Sequence, residues 1–358
     1  MPLLPTTIDP GVTRNHSDDH EQIGHCLNNA INIRSNGAGL TADDTTAINT
    51  SLTEAGANGA IYFPGNGTAS TTYTISSTIT IKCHVYSDPN VQLSYTGSGT
   101  AVQIGDGVTQ LGAKRIQLPE IAKLTKTWTT GTPDAGDIGL RVVGCDTCII
   151  DVPLIINFST GLRITATSTA AGHGCIYRIA RLVENAVQVL IKPETGAAFY
   201  TNTHQIWIQH LYWGTAFTPN TAGIRGIDIV NSSNNTFYGG RFESYDAPEY
   251  IIRVSPGDEN AFYINRWEFN DGTQEVLYET TSKGNLIFVG NGLRNVNIVS
   301  SGTGKNIAQY FTEPGELVID AGGEDVIFDN ANPVLKAPNN GLWRLTVDNA
   351  GALSTTSV

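Results

Sequence analysis

Asn235-Thr-Phe-Tyr-Gly-Gly-Arg-Phe-Glu243 is followed, 25 residues on, by Asn260-Ala-Phe-Tyr-Ile-Asn-Arg-Trp-Glu268. A weaker copy, Asn285-Leu-Ile-Phe-Val-Gly-Asn-Gly-Leu293, stands after the same interval. A period of about 20–50 residues marks stacked structural units. Each copy holds short β runs broken by Gly, Asn and Asp, with no helical pattern between them. The spacing therefore predicts an all-β chain, a right-handed parallel β-helix of about nine to eleven coils, each copy being one coil. Such coils contact only their neighbours, so length adds linearly.

The rest of the composition agrees. The chain has 358 residues, with 38 Gly and a single Met, and only 15% of its residues are charged. The net charge of −12 argues against a nucleic-acid partner. No apolar run reaches transmembrane length, so membrane insertion is not expected. Met-Pro-Leu-Leu-Pro at the start does not read as a signal peptide. Five cysteines, at 26, 83, 145, 148 and 175, form an odd set that reads as reduced thiols.

Along the chain, residues 1–15 read as an extended arm. A helix is expected from about Asp18 to Ile33, capped by Ser17 or Asp18. A second helix is expected over Thr45–Ala55, with Asp43 and Asp44 at its N-terminus and Gly56 and Gly59 beyond its end. Strand runs follow from Ala60. Two insertions, Pro119–Asp137 and Pro193–Thr203, are expected to leave the rod as side loops. The organisation is thus an N-terminal arm and helix (1–35), a β-helix (36–325), and a C-terminal β-hairpin cap (326–358) carrying Gly341-Leu-Trp-Arg-Leu-Thr-Val-Asp-Asn-Ala-Gly351.

Asp43-Asp44-Thr45-Thr46-Ala47-Ile48, Gly59-Ala-Ile-Tyr-Phe-Pro64 and Tyr73-Thr-Ile75 together resemble the opening segment of the pectate-lyase-like β-helix family, common in bacteriophage tail spikes and tail fibres. Gly39-Leu-Thr-Ala-Asp43 departs slightly from that family's loop. Asn15-His-Ser-Asp-Asp-His-Glu-Gln-Ile-Gly24 and the C-terminal Trp-Arg-Leu pair resemble minor tail proteins of phages that infect actinobacteria. These resemblances imply a structural and receptor-binding tail fibre or spike. It would be a homotrimer, joined to other tail proteins through its N-terminal region and bound to a host cell-surface glycan. It would be assembled in the host cytoplasm and located in the virion. They leave activity open, because lyases, hydrolases and inert binders share the fold. A polysaccharide depolymerase and a spacer without ligand remain alternatives.

Equivalent positions of successive coils stack about 4.8 Å apart. Asn235, Asn260 and Asn285 should therefore form an amide ladder at a turn. Phe237, Phe262 and Ile287 make one apolar column, extended by Ile206. Tyr238, Tyr263 and Phe288 make a second, extended by Trp207. Adjacent residues face opposite ways, so one column lies inside and the other outside. The outer column needs cover, from a trimer partner, a side loop or a glycan.

Glu243 and Glu268 should stack on the outer face beside Arg241 and Arg266. Retaining glycosidases hold two carboxyl groups about 5–5.5 Å apart, which makes this pair a catalytic candidate. The competing reading is an Arg–Glu lattice, poorly suited to general acid work. Asp246 and Asp271 share the same spacing and read as turn residues or as further catalytic candidates. Cys145, Cys148, His173 and Cys175 have the residue types of a zinc site but the context of buried strand thiols. His16, Asp18, Asp19 and His20 read as capping and solvated groups. No metal or other cofactor is expected.

Overall fold

The coil is built from alternation. In Thr236–Asp246, Phe237 and Phe242 are buried while Arg241 and Tyr245 are exposed, and each neighbouring strand repeats the pattern. The computed structural model describes residues 30–126, 128, 136–198, 200–214, 217–271, 274–279, 281–293, 296–300, 307–312 and 317–320 of the rod. In a second unit, Gly323–Val358, it describes 334–336, 342–347 and 353–357.

Three parallel sheets run along the rod. The longest begins at Ile31–Asn32 and passes through Ile149–Ile156, Ile176–Val183, Gln205–Trp213, Thr236–Asp246 and Ala261–Asp271 to Ile307–Thr312. Leu317–Asp320 then pairs antiparallel with Ile307–Thr312 and ends the parallel stack. A second sheet has nine strands, from Ile79–Ile81 to Val296–Ser300, one for each of nine coils. A third, of four two-residue strands, includes Gly172–His173 and Thr201–Asn202. The fold is thus the parallel β-helix expected from the repeat. The second unit is a three-stranded antiparallel sheet in which Leu342–Val347 pairs with both Val334–Lys336 and Leu353–Ser357.

The long strands bend midway. The ladder pairs Ile208 with Gly239 and His210 with Arg241, and skips the Gln209–Gly240 position between them. Inside and outside exchange parity there, so Ile208 and Leu211 both point into the core. The chains approach closely at the bend. A Cβ at Gly240 would lie 2.3 Å from the Gln209 carbonyl oxygen, so only glycine fits that position.

The single α-helix among the described residues is Thr45–Ala55, as read from the sequence. Its acidic motif works as a clasp. Asp43 Oδ1 accepts from the Thr45 amide (3.0 Å) and hydroxyl (2.6 Å), and its Oδ2 accepts from the Ser76 hydroxyl. The buried Asp44 carboxylate accepts from the Gly39 amide (2.6 Å) and the Thr74 amide (2.8 Å). It thereby ties loop, helix and first coil together. Tyr73 donates to the Pro64 carbonyl (2.7 Å) and accepts from Arg34 Nε (2.9 Å), joining the two later parts of the motif. Asp44→Ala leaves the Gly39 and Thr74 amides without this acceptor and should cost about 2 kcal/mol. A urea midpoint within error of wild type would refute the clasp.

Two expectations change. The helix placed at Asp18–Ile33 does not reach its end: Ile31–Asn32 is a strand paired with Ile61 and Tyr62, and Ile33–Asn36 is a 3₁₀ turn. The β-branched Ile31 gains more by pairing with the next coil than a helix would give it, and Ile33 is buried in the core at the start of the turn. Residues 1–29, with the arm, His16, Asp18, Asp19, His20 and Cys26, lie outside the described residues. The insertions also remain partly in the rod. Glu120–Lys123 is a strand between Val91–Tyr95 and Ile149–Ile156. Buried Trp128 donates to the Glu184 carbonyl (2.7 Å), and Lys126 spans its ring and the Glu184 carboxylate. Thr201–Asn202 belongs to the third sheet.

Candidate functional site

The two columns read from the repeat face opposite ways. Ile206, Phe237, Phe262 and Ile287 are in register and at most 2% exposed. Phe237 and Phe262 stack at 5.0 Å. Trp207, Tyr238, Tyr263 and Phe288 are in register on the outside. Trp207 is 46% exposed and Tyr263 40%, while Tyr238 and Phe288 are half-buried.

The outer rings stack along the rod axis. Trp207 and Tyr238 lie 4.0 Å apart at 17°, and Tyr238 and Tyr263 lie 5.6 Å apart at 16°. Stacking covers the faces within the column and leaves edges to solvent. Trp207 is the first ring, and the residue before it in the column is Arg178. Its second face therefore opens on a groove of about 740 Å³. Gln117, Asp151 and Arg178 continue the same column as the groove floor, and Gln205 and Gln209 flank Trp207. The Trp207 signal was in the sequence. The groove was not, because it depends on the stack ending at this coil.

Past the bend lies the charged face. Arg241 binds both carboxylates, with Nε 2.6 Å from Glu268 Oε2 and its terminal nitrogen against Glu243 and Glu268. Arg266 also binds Glu268. His210, not singled out in the sequence, stands one coil before Arg241 with Nε2 2.9 Å from Glu243 Oε1. Each carboxylate of the candidate pair thus has a cationic or imidazole partner. Asp246 and Asp271 are in register at the ends of their strands. Asp246 accepts from the Phe217 amide (2.9 Å), which suits a turn residue.

The amide ladder is present and longer than the repeat indicated. Asn235 donates through both its amide (3.1 Å) and its side chain (2.9 Å) to Asn260 Oδ1, and Asn260 does the same to Asn285. In the preceding coils the same position is His204, whose amide donates to Asn235 Oδ1 (3.1 Å), and Cys175, whose amide donates to His204 Nδ1 (3.3 Å). Cys148 precedes them. Its sulfur and that of Cys175 turn to backbone carbonyls. Cys83, Cys145, Cys148 and Cys175 are buried free thiols. A hydrogen bond to the Cys148 sulfur, reinforced by burial, holds Cys145 and Cys175 well above the ordinary thiol range. His173 is half-buried in the third sheet beside Asp146. Among the described residues no group of three or more His, Cys, Asp or Glu side chains is arranged to hold a metal ion.

No family model matches the chain, and no curated protein is similar to it in sequence. Among solved structures it is similar to PfbA, a surface adhesin of Streptococcus pneumoniae, at 9% identity and a TM-score of 0.45, covering 92% of this chain and 98% of that one. It is also similar to Geobacillus virus E2 ORF18, at 14% identity and a TM-score of 0.33, covering 97% of this chain and 80% of that one. Neither likeness carries a function to this chain, whose fold is read from its own ladders.

Proposed function

We propose that this chain is a phage tail fibre or tail spike subunit that holds a host-surface glycan without cutting it. The observation that carries binding is the free face of Trp207, opening on a groove floored by Gln, Asp and Arg side chains. The apolar face of a sugar ring packs on an indole while its hydroxyls bond amides and carboxylates, the usual division of labour in a ligand groove. Retention without cleavage is supported by Arg241, Arg266 and His210. They occupy Glu243 and Glu268, whereas a glycoside hydrolase needs a carboxyl free to deliver a proton to the leaving group. The phage assignment rests on the motif resemblance at both ends of the chain. Threefold self-association and a place in the virion belong to the same proposal.

The test is calorimetric titration with a panel of bacterial surface polysaccharides, together with an assay for released reducing ends and unsaturated uronates. Saturable binding without product is expected, weakened about ten-fold or more by Trp207→Ala. Product release would overturn the non-cleaving reading. Binding untouched by Trp207→Ala would remove the groove. Absence of any binding would leave the spacer as the better account.

A further inference from the structure

The groove beside Trp207 has a charge imbalance that a neutral sugar would not need. Two arginines face a single carboxylate, Asp151: Arg178, its ladder partner in the next coil and a lining residue of the groove, and Arg115, two residues before its ladder partner Gln117 in the preceding coil. Arg115 takes that carboxylate closely, with its terminal nitrogen 2.9 Å from Oδ2. Arg178 stands 3.7 Å from Oδ1, beyond hydrogen-bond distance, and Oδ1 accepts no hydrogen bond. The Arg178 side chain remains 52% exposed. The local sum is two positive charges against one negative, on a chain whose net charge is −12.

Position sharpens the point. Arg178 is the ladder partner of Trp207, so its guanidinium stands on the side where the indole face is free. A group stacked on that face is brought up against Arg178. A guanidinium presents a planar fork of donors that matches carboxylate or phosphate oxygens in pairs. Its remaining surroundings, Gln117, Gln205 and Gln209, are neutral and can serve hydroxyls.

We infer that the saccharide unit held on Trp207 carries an anionic substituent, a carboxylate or a phosphate, and that Arg178 selects for it. This rests on the glycan-binding reading above and adds the class of sugar and the residue that reads it. Arg115 stays with Asp151 and holds the floor of the groove in place.

The experiment compares three polymers by calorimetric titration of the full chain: a uronate-containing polysaccharide, the same polymer after carboxyl reduction to neutral sugars, and a polyol-phosphate polymer. Wild type should bind at least one charged polymer about ten-fold or more tighter than the reduced one, with a preference that shrinks as salt rises. Arg178→Gln should erase that preference, read as the ratio of the two affinities within the same variant, and Arg178→Lys should restore part of it. Which charged polymer binds decides between carboxylate and phosphate. Equal affinity of wild type for charged and reduced polymers would overturn the inference, as would a preference that survives Arg178→Gln. Either result leaves glycan binding intact. Failure of wild type to bind any of the three, or any member of the wider panel, would instead take down the proposed function.

Discussion

Lowering the pH from 7 to 4 is expected to remove about 3 kcal/mol of unfolding free energy through one side chain, His204. Its imidazole is fully buried in the ladder. Nδ1 accepts from the Cys175 amide, so the ring proton sits on Nε2 and is given to Thr201 Oγ1 at 2.8 Å. A second proton would place a buried charge against an N–H donor. Burial first, and the neighbouring His173 second, push its pKa down from 6.5 to about 3. The unfolded chain takes up this proton near 6.5 and the folded one only near 3. Between those values the unfolded state therefore holds more protons, and stability rises with pH. The stabilisation is complete above pH 6.5 and drains away as the pH falls toward 3. Asp43, held below the ordinary carboxylate value first by the Ser76 hydroxyl and then by Thr45, adds its own loss only below about pH 4.

The control comes from the molecule itself, because the later coils place Asn at the equivalent position. His204→Asn should keep the rung and flatten the slope between pH 6.5 and 4. Urea titrations across that range decide it. A wild-type midpoint indifferent to pH, or a variant with an unchanged slope, would refute the assignment.

Asn260→Ala is expected to cost about 4 kcal/mol, from two buried donors and two acceptors each losing a partner. Asn260 Oδ1 receives the amide and side chain of Asn235, and its Nδ2 serves Asn285 Oδ1 (3.0 Å) and the Ser232 carbonyl (3.2 Å). Alanine fills none of these roles, and Asn260 is fully buried, so water has no ready access. Asn265→Ala, at the exposed bend, should change stability by less than about 1 kcal/mol. If denaturant titration gives the two variants similar losses, the ladder is not what fastens these coils.

The sequence was legible where the coils have equal length. Between Asn235 and Asn285 the copies follow at 25 residues, and the columns and the Arg–Glu face could be read directly. The same ladder continues to His204 and Cys175, but the intervals there are 31 and 29 residues. Segments such as Phe217–Ile224 between the sheets change length from coil to coil while the rungs stay fixed, so a constant period loses the column. The change of residue type hides it further, because imidazole and thiol do the work of an amide. Asp43 and Asp44 were legible as capping oxygens, but Asp44 instead reaches forward to Thr74 and back to Gly39, contacts that only the folded coil creates. Trp207 was visible as an outer aromatic. Its usable face was not, because ring orientation is set by stacking on Tyr238 and not by position in a strand.

The equal coils also bear on how such a chain can change through inheritance. A cut at Asn235 and a join at Asn260 removes one complete turn and leaves the same amide facing the same neighbour. A duplication between the same points adds one. Because each turn meets only the next, the cost of such an event is confined to the junction, where a deletion would bring Asn265 against the Gln209 carbonyl that now faces Gly240. The rod's reach would change by one strand spacing, about 4.8 Å. Divergent lineages of this molecule can therefore differ in length by whole turns in the Asn235–Asn285 region, where the copies match. The segment around His204, whose turns differ in length and in the side chains that join them, has no such freedom.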